Sequence, residues 1–280
     1  MHTPLWWERS TFLRLKLFLD TSSAAVHPRP GGPRSSRWQS RIQTVVLGWL
    51  ACCWVGDATV AAANDALGRY VRRPDASYNW KVTDQKVVEG FTVAHLELVS
   101  QTWRGQFWSH HLQLVRPPTV RNPDIALLFI TGDGEGDRDL GMVRTLAERA
   151  GAIAAVLTKV PNQPLYHGRK EDALIAYTFD QYLKTGDATW PLLFPMVKSA
   201  VRAMDTVQTF AEREFHQSIK HFVVTGASKR GWTTWLTGAA DRRVVAIAPI
   251  VIDMLNMKAQ ARWAEKVYGR QSEQIQDYTN

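Results

Sequence analysis

The chain has 280 residues, 45% of them hydrophobic, enough for one or two domains with a sizeable core. Its formal net charge of +8 is uneven: seven basic residues against two acids fall within residues 1–41, while 27 basic and 23 acidic residues follow residue 63. A near-balanced body excludes the clustered basic face that nucleic-acid binding needs. The two cysteines, Cys52 and Cys53, stand together in an apolar stretch, which excludes a disulfide framework, a cysteine nucleophile and a thiolate metal site in the body of the chain.

Residues 1–36, rich in Arg, Pro, Ser and Gly, have no periodicity and are expected to be disordered. Arg37 and Arg41 then precede the apolar run 42–55, and Ala61-Ala62-Ala63 follows it. That order is the basic, apolar and small-residue order of a secretory signal peptide over about 37–63, so a secreted or periplasmic protein is expected, touching membrane only through its leader. The run falls short of the roughly 20 residues of a membrane span. Two alternatives stay open: acylation at Cys52 within Leu50-Ala51-Cys52, and an uncleaved anchor, which Asp57 interrupts. The preceding basic stretch is long for such a leader, and a start codon assigned too early would explain it. Residues 1–63 are thus expected to be leader, and 64–280 one globular unit.

Two partly alternating stretches, 91–99 and 107–115, predict half-exposed strands that pair as an antiparallel edge, the second ended by Pro117-Pro118. Continuous apolar runs follow at Ile125–Ile130, Ala152–Leu157, Phe222–Thr225 and Val244–Ala248, the last continuing to Ile252. Helical patterns separate them at about 138–150, 169–184, 192–214 and 229–240, with Pro191 expected at the first position of the third. Short buried strands alternating with helices predict a mostly parallel sheet covered on both faces. With antiparallel strands at its N-terminal edge, this suits an α/β-hydrolase-like architecture.

The chemistry centres on Gly226-Ala227-Ser228-Lys229-Arg230-Gly231. A strand before Ser228 and a helix after it would present the hydroxyl at the carboxyl end of the sheet, as in a nucleophile elbow. Gly226 and Gly231 would allow close packing, and the Lys229 N–H would be an oxyanion donor. The spacing is Gly-x-Ser-x-x-Gly, with Arg230 where the elbow motif has its second glycine. The bland alternative is that Ser228 only caps the helix. Lys229 and Arg230 would either meet an anionic transition state or acidic substrate, or be solvated surface charge.

Asp253 ends the last apolar run and is a candidate catalytic acid, or equally a helix N-cap before Met254. No histidine follows His221, so the general base expected after the acid is absent, and Asp277–Asn280 shows no closing element. A truncated and inactive 280-residue form is the expectation. Within Thr131–Gly136, Gly132 and Asp133 are candidates for the second oxyanion N–H. Asp133, Glu135 and Asp137 would repel a dinucleotide pyrophosphate, the glycine spacing fails as well, and the acids do not follow an EF-hand. No cofactor and no metal are expected. His110 and His111, adjacent in a strand, point to opposite faces and read as structural; His167 could line a cleft. Trp232 and Trp235 read as core rather than a sugar platform.

Several stretches together resemble the PhoPQ-activated pathogenicity-related protein family. They are Ala66–Val71 with Arg73-Pro-Asp75, Val160–Leu165, Glu171–Thr178, Thr185–Pro191, Ala200–Val207, Ser228–Trp235 and Ala246–Asp253. The resemblance spans about 64–280. It implies a secreted or envelope-associated α/β-hydrolase-like protein, supports Ser228 as the elbow serine, and implies a longer chain. The Gly-x-Ser-x-x-Gly spacing is separately similar to that of glucuronoyl esterases. That local likeness raises carboxylic ester cleavage, with a small-molecule or carbohydrate-type ester as substrate, by analogy alone. The alternative is a non-catalytic module that binds an extracytoplasmic partner. The sequence is silent on oligomeric state.

Overall fold

The computed structural model describes residues 65–134, 137–252 and 256–279. The expected leader, its signal peptide and the Cys52 alternative lie outside the described residues. Contacts divide the chain into Met1–Asp65 and Ala66–Asn280, and the described elements all belong to the second unit.

The elements in order are α1 (Ala66–Arg72), β1 (Asn79–Val88), β2 (Phe91–Trp103), β3 (Gln106–Arg116), β4 (Ile125–Ile130), α2 (Asp137–Ala150) and β5 (Ile153–Leu157). Then come α3 (Glu171–Thr185), α4 (Leu193–Phe215), β6 (His221–Ala227), α5 (Lys229–Ala240), β7 (Val244–Ile250), α6 (Met257–Tyr268) and α7 (Gln276–Thr279). The strands form one seven-stranded sheet in the order β1-β2-β3-β5-β4-β6-β7. β1, β2 and β3 pair antiparallel, and β3 joins β5 antiparallel. β5, β4, β6 and β7 are mutually parallel.

Composition explains these roles. β5 reads Ile-Ala-Ala-Val-Leu and is buried throughout, as a strand covered on both faces must be. One face of the sheet packs against α4 and α5 through Leu96, Leu112, Leu128, Met196, Met204 and Phe222. The opposite face packs against α2 through Val93, Val115, Val143, Ala147 and Val156. The α/β-hydrolase-like fold, with its antiparallel N-terminal strands and covered parallel core, is therefore present.

Four details differ from expectation. The antiparallel edge is three strands deep, because β1 stands outside β2. β7 is an edge strand with no fully buried residue, and Val245 is 56% exposed, although its apolar sequence reads as interior. α4 starts at Leu193, two residues beyond Pro191. Gln276–Thr279 forms a helical turn where no element was expected. Among the described residues no helix is long and apolar enough to cross a membrane.

Candidate functional site at the β6–α5 turn

β6 ends beside β4: Ile130 pairs with Gly226, so the loops that leave the two strands start side by side. Ser228 follows β6 immediately and α5 begins at Lys229. The turn is tight because two glycines permit it. A β-carbon on Gly226 would lie 2.8 Å from the Arg230 carbonyl oxygen, and one on Gly231 would lie 2.3 Å from Ile252 Cγ2. The Ser228 N–H donates to Ile250 O at 2.9 Å, which ties the turn to the end of β7.

Ser228 has φ 55° and ψ −121°, a backbone conformation that is strained for a residue with a β-carbon. Its hydroxyl makes no cap hydrogen bond to α5. The capping alternative thus lacks its defining contact. Ser228 is half-buried at the mouth of a helix whose first N–H groups have no acceptor within the helix. The Lys229 amide, expected as an oxyanion donor, is one of these.

Lys229 and Arg230 are neither free for a substrate nor simply solvated, which corrects both readings of their charge. Arg230 is 9% exposed. Its guanidinium forks onto Glu171, Nη1 to Oε2 at 2.6 Å and Nη2 to Oε1 at 2.7 Å, while Nε donates to Val160 O at 2.5 Å. Lys229 Nζ reaches Asp172 Oδ2 at 2.6 Å. Glu171 was not singled out from the sequence; only its place in a family-like stretch marked it. Burial alone would raise its carboxyl pKa, but the Arg230 guanidinium outweighs this and holds it at about 2, helped by Gln163 and Lys229.

The same clasp reaches the loop after β4. A β-carbon on Gly132 would lie 2.3 Å from Arg230 Nη2, so glycine makes the room in which the guanidinium rests. The Gly132 carbonyl accepts from Lys159 N at 2.9 Å. The Asp133 carboxylate accepts from Gln163 Nε2 at 3.0 Å, and Gln163 Nε2 also donates to Glu171 Oε1 at 2.6 Å. The structure thus brings Gly132 against Arg230 in the first turn of α5, while Asp133 meets Gln163. Neither of their amides donates to another backbone group among the described residues.

Asp253 lies outside the described residues. The chain just before it reaches the site, since Ile252 O accepts from Trp235 Nε1 at 3.3 Å. The helix that starts at Met257 is capped by Asn256, whose side chain accepts from Ala259 N at 3.1 Å.

Of the remaining histidine candidates, His110 is held in the structure by buried hydrogen bonds. His110 is 2% exposed; its Nδ1 donates to the carbonyls of Thr158 and Lys159, and Nε2 accepts from the Ser100 hydroxyl at 2.9 Å. Burial drives its pKa down to about 4, so it is neutral at pH 7. His111 faces the opposite, exposed side, and no histidine among the described residues hydrogen-bonds Ser228. His167 is exposed and lines neither the cleft beside β2 and β3 nor the one beside α3. Trp232 packs on Phe179, as a core residue would. Among the described residues no group of three or more His, Cys, Asp or Glu is placed to hold a metal ion.

Residues 67–280 match the family described as PhoPQ-activated pathogenicity-related protein. The chain belongs to that family. It is 36% identical over 228 residues to autocrine proliferation repressor protein A of Dictyostelium discoideum, covering 76% of this chain and 46% of that one. It thus spans about half the length of the curated relative it matches. Among solved structures it is similar to a glucuronoyl esterase from Solibacter usitatus, with TM-score 0.47, 14% identity and coverage of 77% and 67% of the two chains. It is also similar to acetyl xylan esterase 1 from Thermoanaerobacterium, with TM-score 0.43, 14% identity and coverage of 76% and 69%. At these scores the strand order, and not the likeness, carries the fold assignment.

Proposed function

We propose that this family member is a serine hydrolase that cleaves a carboxylic ester, with Ser228 as nucleophile. The observation that carries the reading is the Ser228 hydroxyl, uncapped and held in strained backbone at the end of β6. The hydroxyl oxygen attacks the acyl carbon, and its proton passes to a general base. The Lys229 N–H and an N–H of Gly132 or Asp133 hold the oxyanion as the tetrahedral intermediate forms. Asp253 is the candidate acid. No imidazole among the described residues hydrogen-bonds Ser228, so the base is left unassigned.

The solved esterases similar in fold act, by their names, on acetylated xylan or glucuronoyl esters, so a carbohydrate-type ester is the substrate class to try first. The leader over about 37–63 makes export the accompanying proposal. The test is ester hydrolysis by the full-length gene product, with p-nitrophenyl acetate and acetylated xylan as substrates. Ser228→Ala should lower kcat by a factor on the order of 10⁴ or more with little effect on KM. Equal rates in both proteins would sink the proposal. That no imidazole among the described residues bonds Ser228 favours a second reading, a binding module with no reaction; a full-length product inert toward every ester would support it.

A further inference from the structure

Beyond the elbow, a cleft of about 920 Å³ opens between the β1–β3 side of the sheet and the loops after β4 and β5. Its position follows from strand alternation. Val93 and Val115 lie under α2, and two residues further along the same strands the same face continues with His95 and Gln113, then Glu97 and His111. His95 stands opposite Gln113, and Glu97 opposite His111. Lys159, just past β5, adds its ammonium beside His111.

The lining carries Asp84 and Asp133 against Lys86 and Lys159, and most of these charges are paired. Glu97 is held by Lys81 at 2.8 Å, and Asp84 stands 3.7 Å from Lys86. Asp133, at the rim, takes Gln163 and lies 3.8 Å from Lys170. Lys159 has no ion pair among the described residues, and both imidazoles are within the same cleft. Gln113 lines the cleft and is 4% exposed, and its buried Oε1 has no hydrogen-bond partner. Apart from Leu96 and Leu112 the lining side chains are polar, so hydrogen bonds and charge dominate recognition.

We propose that this cleft binds a small hydroxylated anion, such as a sugar-sized carboxylate or phosphate ester. The anionic group pairs with Lys159 and His111, and a ligand hydroxyl donates to Gln113. A cleft of this volume is of ordinary size for such a ligand. The inference does not depend on Ser228 being reactive, so its failure and that of the proposed activity can be told apart. Burial and the Lys159 charge depress the His111 pKa in the free protein. A bound anion favours the charged imidazolium and raises it.

The test is NMR titration of the imidazoles, with calorimetry, on the full chain. Gluconate, glucose 6-phosphate, inorganic phosphate and glucose are the probes. Gluconate or glucose 6-phosphate should bind and raise the His111 pKa. Lys159→Gln should weaken binding tenfold or more, and His111→Gln should also weaken it, while Ser228→Ala binds like the wild type. Whichever of the two hydroxylated probes binds more tightly separates carboxylate from phosphate recognition. No binding of either, or binding untouched by Lys159→Gln in a protein of unchanged unfolding midpoint, overturns the inference. Equal affinity for inorganic phosphate, or for glucose, overturns it as well, since one makes hydroxyls irrelevant and the other makes charge irrelevant.

Discussion

At φ 55° and ψ −121° the β-carbon of Ser228 is crowded in a region where glycine is at ease, a strain of about 1–3 kcal/mol. Alanine at this position keeps the strain and glycine releases it. Ser228→Gly should therefore unfold at a higher urea concentration than Ser228→Ala, by about 1 kcal/mol; equal midpoints would show that the turn is unstrained. His110 gives a second residue-level prediction. Its folded pKa, about 4, lies below its ordinary value of 6.5, so the unfolded chain binds a proton first. The stabilisation is complete above pH 6.5 and is lost as the pH falls toward 4. Urea midpoints should decline over that window, and His110→Gln should flatten the decline; an unchanged slope would mean that His110 is not buried neutral. The structural fate of His110 was legible in the strand alternation. The fate of Arg230 was not: its partner Glu171 is 59 positions away, and no local spacing announces a buried fork.

The clasp between α3 and α5 belongs to the next scale. Arg230 ties Glu171, Val160 and the Gly132 loop to the first turn of α5, which accounts for an arginine in place of the elbow's usual glycine. Glu171→Gln removes the charge and leaves the guanidinium 11% exposed. Breaking a fully buried pair costs about 3–5 kcal/mol; because the Glu171 side chain is 36% exposed, solvent screening reduces the expected loss to about 1–3 kcal/mol. The carboxyl's folded pKa lies below its ordinary 4.5, so the contribution is complete above pH 4.5 and fades as the pH falls toward 2. Urea midpoints of wild type and variant should converge across that window. A constant gap would contradict the assignment. Among the elements themselves, β4, β5 and β6 were readable because strands buried on two faces are continuous apolar runs. β1 was not, because Lys81, Asp84, Gln85 and Lys86 give an outer strand no apolar period. β7 was read as interior for the converse reason: its residues are apolar, yet it stands at the sheet edge.

For the whole molecule, topology places the chemistry where an open α/β sheet puts it, at the carboxyl ends of parallel strands. The loops after β4, β5 and β6 meet there: the first carries Gly132, the second Gln163, and the third Ser228. The order of strands and apolar runs made the fold legible from sequence, and the glycines marked the tight turn that holds Ser228. Asp253, the acid read from the sequence, lies outside the described residues, and no described histidine hydrogen-bonds Ser228. The proposed chemistry stands or falls with Ser228 as a reactive nucleophile, and covalent labelling reads that reactivity without needing the substrate. The full-length gene product is treated with a fluorophosphonate, digested with trypsin and mapped by mass spectrometry. Lys220 and Lys229 bound a peptide, His221–Lys229, in which Ser228 is the sole serine. One adduct is expected, on Ser228 in that peptide, and it should be absent from Ser228→Ala. An adduct on another residue with this peptide unmodified, or no adduct at all, would contradict the assignment.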